Sequence, residues 1–153
     1  MIDAKFTIDL SQVRGLPSEV HDGFRNGVFR AVQLVRTYVK EESPKVTGNL
    51  SDSIFVVMEE FGSVFTGRVI VNPKSADGKP YALFVAEGTG IFGPTGNRIY
   101  PKSASALRWI SEGGGLMIRK SVAGQKPNPF HERGLARAEP HISEEIEKGL
   151  VAI

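Results

Sequence analysis

Cysteine is absent from the 153 residues, which removes disulfide cross-links, thiolate metal ligands and a cysteine nucleophile from consideration. Long apolar runs are missing too. The longest, Tyr81-Ala82-Leu83-Phe84-Val85-Ala86, falls far short of the roughly 20 residues that cross a bilayer, so no membrane association is expected. The opening Met1-Ile2-Asp3-Ala4-Lys5 has neither the basic nor the apolar region of a signal peptide, and a soluble intracellular product is expected. Charge of one sign is scarce as well. Lys plus Arg number 19 against 17 Asp plus Glu, a net of +2, too little for a protein that binds nucleic acid by bulk charge.

What is present is ordinary for a globular fold. With 41% hydrophobic and 24% charged residues, collagen-like, coiled-coil and wholly disordered chains are excluded. The length suits a single domain, 1–153, that buries about two-thirds of its unfolded surface. No internal repeat or interdomain linker is visible.

Phe6, Ile8 and Leu10 alternate with polar residues and predict a short opening strand. Val20, Phe24, Val28, Ala31, Val35 and Tyr38 recur every three or four positions, predicting a helix from about Ser18 to Glu42. Pro17 and Ser18 signal its start, and Pro44 its end. Its apolar stripe needs a sheet beneath it, since burying six such side chains is worth on the order of 10 kcal/mol gross. Leu50 to Phe61 and Val64 to Val71 supply strands joined by a Gly62-Ser63 hairpin. Tyr81 to Glu87 is helix or strand by periodicity alone. Arg98 to Lys102, Leu107 to Ile110 and Leu116 to Val122 read as strands, with Gly113-Gly114-Gly115 at the last hairpin tip. From Pro129 to Leu150 the pattern is helical, with Phe130, Leu135, Ala138, Ile142, Ile146 and Leu150 inward. Pro140 predicts a kink or restart there. The expected fold is α+β: a long N-terminal helix and a C-terminal helix packed on an antiparallel β-meander. Two loops remain, 72–80 and 88–97.

Chemical motifs are weak. Gly88-Thr89-Gly90-Ile91-Phe92-Gly93 matches GxGxxG, but a dinucleotide site requires that turn to open a helix, and here a proline, another glycine and a strand follow. The kinase form of the motif spans a strand-loop-strand, yet no Asp occurs after Asp77 to hold metal or take a proton. His131-Glu132 begins like a zinc-protease helix, but Leu135 stands where the second His belongs. His21 and His141 have no ligand spacing, and no G-x-S-x-G elbow occurs. Glu59 and Glu60 are adjacent on a strand, so they point to opposite faces and cannot form a carboxylate pair. No catalytic, cofactor-binding or metal-ligating residue is therefore assigned, and no enzymatic activity is expected. Arg98, Lys102, Arg108, Arg119, Lys120 and Lys126 are dense in a segment where Glu112 is the one acid. A solvated face explains them, and so does contact with DNA phosphates.

Three ordered stretches carry more. Ser43-Pro44-Lys45-Val46-Thr47-Gly48-Asn49-Leu50-Ser51-Asp52-Ser53-Ile54 follows the long helix. Pro80-Tyr81-Ala82-Leu83-Phe84-Val85-Ala86-Glu87-Gly88-Thr89-Gly90 comes next, and Gly124-Gln125-Lys126-Pro127-Asn128-Pro129-Phe130 opens the last helix. This order resembles the head–tail joining and tail-completion family of long-tailed bacteriophages, whose members are also called neck or minor capsid proteins. The matching residues are Pro44, Thr47, Gly48, Leu50, Ser53, Ile54, Tyr81, Ala82, Val85, Glu87, Gly88, Thr89, Pro129 and Phe130. His131 and Gly134 depart from the family's leucine and alanine, and Pro140 interrupts a helix that is smooth in the family. The resemblance implies a structural virion protein, a ring-forming adaptor at the neck or tail end, made in the host cytoplasm from a phage or prophage gene. Its partners would be copies of itself, the tail tube and the head-connector proteins, with DNA passing through the lumen and no cofactor. A ring needs a heterologous interface. Loops 72–80 and 88–97 and exposed sheet edges are the candidates, with the loops expected to order only on assembly.

Overall fold

The stripe from Val20 to Tyr38 lies on α1 (Ser18–Glu42) of the computed structural model, which describes residues 1–45, 48–111 and 113–152. Val28, Ala31, Val32, Val35 and Val39 are buried along it. The helix ends as the backbone turns extended at Ser43, the residue before Pro44. There the Ser43 hydroxyl donates 2.8 Å to the Lys40 carbonyl, satisfying one of the carbonyls a helix end leaves open.

Beneath α1 lies an antiparallel sheet of β1 (Ile2–Asp9), β2 (Ile54–Phe61) and β3 (Val64–Val71), in the order β1-β3-β2. Gly62 and Ser63 join β2 to β3 with Phe61 opposite Val64, and Gly62 has φ of 58°, as tight hairpins require. Strand alternation puts Phe6, Ile8, Phe65, Val69, Ile54 and Met58 on one face, and Asp3, Lys5, Thr66, Arg68 and Glu59 on the other. Val28 and Val32 of α1 come down over Gly67 of β3. The opening strand is longer than its alternation predicted. Leu50 does not begin a strand: it is buried in the single-turn helix α2 (Asn49–Asp52). Gly48 at φ 76° turns the chain into α2, and Ser53 donates its hydroxyl to the Leu50 carbonyl at 2.6 Å on the way out.

The C-terminal helix α4 (Phe130–Val151) continues through Pro140, so of the kink or restart expected there the restart does not occur. It lies antiparallel against α1, and its inward face differs from the apolar stripe. Phe130, Gly134, Ala138 and Gly149 are buried, Ile142, Ile146 and Leu150 are half-buried, and Leu135 is 39% exposed. The reason is close approach. A Cβ on Gly134 would stand 2.6 Å from Cα of Val39, and one on Gly27 would stand 2.7 Å from the Ile146 carbonyl oxygen. Glycines therefore set the crossing, and the larger side chains flank it. Glu42 at the end of α1 accepts from Arg133 at 3.0 Å and Arg137 at 2.8 Å, while Arg30 reaches Glu145 at 3.1 Å. Leu135 and Ile142 line a small apolar cavity of about 80 Å³ with Ala4, Phe6 and Val69 of the sheet.

The chain divides into two compact units, 1–82 with 130–153, and 83–129. α3 (Ala82–Glu87) resolves the ambiguous apolar run as helix. In the second unit β4 (Leu107–Ile110) and β5 (Leu116–Arg119) form a two-stranded sheet of their own that does not continue β1-β3-β2. Arg98 to Lys102 is not a strand. Pro101 lacks the donor a ladder needs, and only an isolated bridge between Ile99 and Val122 remains.

Candidate interaction site

The motif stretches turn out to hold the chain in place. Asn49, next to Gly48, donates its side-chain amide to the Lys74 carbonyl at 3.0 Å and to the Tyr81 hydroxyl at 3.1 Å. That ties the first stretch to the start of the second. Leu50, Ile54, Ala82, Val85 and Phe130 are buried. Thr47 lies outside the described residues, as does Glu112. Glu87 is exposed, and Pro44 and Pro129 are half-buried.

The glycine loop after α3 is stitched down along one side. The Thr89 amide donates to the Gln125 carbonyl at 2.8 Å, the Gln125 amide to the Thr89 hydroxyl at 2.9 Å, and the Ile91 amide to the Ala123 carbonyl at 2.8 Å. Gly90 and Gly124 face each other where any Cβ would strike the opposite backbone, so the two segments close to backbone distance. The GxGxxG stretch contains only a three-residue 3₁₀ turn, Gly90–Phe92, and does not lead into a helix whose N-terminus could face a pyrophosphate. The other loop folds on itself. Lys74 and Pro80 bridge, Ser75 bonds Asp77, and the Ser75 amide donates to the Lys79 carbonyl at 2.9 Å. The bond from Ser75, with help from Lys79, lowers the Asp77 carboxyl to about 2.

All six basic candidates belong to the second unit and are exposed. That unit holds six basic residues and two acidic ones, and the first holds thirteen and fifteen. The small net charge thus conceals a positive unit and a slightly negative one. They do not form one stripe, however. Leu107 pairs with Arg119 and Arg108 with Ile118, so Arg108 and Arg119 stand on opposite faces of the hairpin. Arg98 donates to the Ser121 hydroxyl at 3.0 Å, and Lys126 lies 5.9 Å from the Phe92 ring centre.

Two features escaped the sequence reading. The first is that both faces of the β4–β5 hairpin are apolar and exposed: Trp109 40%, Ile110 65%, Leu116 62% and Ile118 47%. Beside it a recess of about 480 Å³ is walled by Ile99, Leu107, Trp109 and Val122. The second is Phe61, 88% exposed at the end of β2, beside Glu59 and Glu60. These two acids do point to opposite sides, Glu60 to Arg25 at 2.7 Å and Glu59 to Arg68 at 3.1 Å. An aromatic just before a hairpin turn, out of phase with the core residues of its strand, was the available signal for Phe61. For the recess there was none, because its walls come from three separate segments.

No group of His, Asp and Glu among the described residues is placed to hold a metal ion. No described helix is long and apolar enough to cross a membrane. Comparison with the models of known families, with curated proteins and with solved structures finds no match to this chain.

Proposed function

We propose that this chain is a structural subunit of a phage virion, a ring-forming adaptor in head–tail joining or tail completion, with no catalytic role. The observation that carries the reading is the ordered set of three motif stretches, whose residues here do conformational work. Gly48 and Asn49 build a turn that catches Tyr81. Thr89 and the glycines around it clasp 123–125, and Phe130 is a fully buried anchor. Residues that hold a shape are what an assembly subunit needs. The exposed apolar surface of the β4–β5 hairpin suits it also, since contiguous exposed apolar patches mark interaction surfaces. Electron microscopy of the concentrated protein, alone and mixed with phage tail tubes, tests the reading. Discs or rings capping tube ends are the expected result, and particles that never touch tubes would refute it.

A second reading is favoured by the charge division. In that reading the positive second unit would contact DNA through Arg98, Lys102, Arg108, Arg119, Lys120 and Lys126, within a ring lumen or independently. Phosphate contacts release counterions, so each would steepen the fall of affinity with salt by about 0.9 in logarithmic slope. Filter binding from 50 to 300 mM salt checks it, and a flat response would dismiss it.

A further inference from the structure

We infer that two copies of this chain join head to tail, with Phe61 of one copy seated in the Trp109 recess of the next. The inference deepens the ring reading by naming its two faces, and it rests on that reading only for closure into a ring.

Phe61 is the most exposed aromatic side chain among the described residues, at 88%. It ends β2 just before the Gly62-Ser63 turn, so it stands at a corner of the sheet, free to enter a concave surface. Leaving it in water forgoes the hydrophobic stabilisation that burial of such a side chain yields. The recess offers what it lacks. At about 480 Å³ it has room for a phenyl ring together with neighbouring turn atoms. Its walls, Ile99, Leu107, Trp109 and Val122, provide aliphatic contact and an indole for an edge-to-face or offset pair.

Charge agrees with shape. The recess sits in the unit with six bases and two acids, and Arg119, paired with Leu107, shares the strand face of Leu107 and Trp109. On Phe61's own face this end of the sheet carries Asp9, opposite Val64, and Glu59, which is paired with Arg68. Knob and recess are different surfaces of one chain, so the contact is heterologous and propagates to a closed ring or an open filament. A second copy is therefore a better occupant than a nucleic acid, because the recess walls are apolar and the basic side chains are divided between two faces.

Trp109 is the only tryptophan, so its fluorescence reports directly on the recess. As the full-length protein is concentrated, its emission should shift to the blue in step with growth in sedimentation velocity. Phe61→Asp removes the knob at a site too exposed to unfold the chain, and should weaken association at least tenfold and abolish the shift. Trp109→Ser damages the recess and should also stay monomeric. Mixed one to one, the two variants retain one good knob and one good recess between them, so they should form pairs and stop there. A blue shift and oligomers that persist in Phe61→Asp would overturn the inference while leaving the ring reading intact. Wild-type protein that stays monomeric at high concentration yet caps tail tubes would do the same. Failure of both assays would remove both. If Phe61→Asp associates normally but Trp109→Ser and Arg108→Glu lose DNA in filter binding, DNA is the occupant and the inference is wrong.

Discussion

At the scale of residues, glycine does the most to define this chain. Gly134 sits in the second turn of α4, where alanine would ordinarily gain about 1 kcal/mol of helix propensity. Its missing Cβ leaves space that Val39 Cα fills, since a Cβ would come within 2.6 Å of it. The neighbour is backbone and cannot rotate away, so overpacking at about 1–3 kcal/mol outweighs the propensity gain. Gly134→Ala should therefore lower stability by up to about 2 kcal/mol, seen as a lower urea midpoint. Gly113→Ala, with open space around it, should leave that midpoint within about 0.5 kcal/mol. Ion pairs set the acid limit. Arg133 and then Arg137 lower the Glu42 carboxyl, Arg25 lowers Glu60, Arg68 lowers Asp3, and Ser75 brings Asp77 to about 2. A carboxylate depressed in the folded state contributes stability that is intact above its unfolded pKa and lost as pH falls through the folded one. From ordinary values of 4.5 and 3.8, these contributions should be complete at pH 5 to 7 and drain between about pH 4.5 and 2. Urea midpoints at fixed ionic strength across that window check the sign, and Glu42→Gln should make the acid limb shallower.

Among the elements, α4 is where local and tertiary preferences conflict. Pro140 removes the hydrogen bond its amide would make to the Ala136 carbonyl and crowds the preceding turn, a penalty of about 3 kcal/mol in a free helix. Yet α4 continues through it, because the crossing with α1 through Gly134, Gly27 and Gly149 and the Arg133, Arg137 and Arg30 pairs hold both halves. Pro140→Ala should therefore stabilise the protein, by about 1–3 kcal/mol, with no change in helix content by circular dichroism. The hairpin β4–β5 is the opposite case. A two-stranded ribbon with both faces in water is marginal alone. Its amides should exchange hydrogen far faster than those of α1 between Val28 and Val39, and gain protection on assembly. Exchange measured by mass spectrometry on dilute and concentrated protein decides this. Equal protection in both samples would count against the hairpin as an assembly element.

For the whole molecule, the distribution of charge and apolar surface matters more than either total. A net of +2 is divided between a basic unit and a slightly acidic one, which suits head-to-tail contact between copies better than repulsion at like faces. Self-association should accordingly weaken as salt rises while its apolar part persists. Sedimentation at 50 and 500 mM salt should show a smaller but surviving oligomer fraction, and salt-independent association would remove the electrostatic share.

Much of the fold was legible in one dimension because its causes are local. The α1 stripe, its end at Pro44 and the Gly62-Ser63 hairpin follow from residue period, ring constraint and turn geometry, which neighbours along the chain determine. So did the opposed directions of Glu59 and Glu60. Leu50 was misplaced because an apolar run records burial without distinguishing a helical turn from a strand. The inward face of α4 was misread because hydrophobicity ranks leucine above glycine, whereas two helix backbones in contact select the residue with no side chain. The density of basic residues was plain in the sequence. Their division between two hairpin faces, the recess around Trp109 and the near-complete exposure of Phe61 were settled only in three dimensions, since each depends on which distant segments meet and which surfaces they leave uncovered.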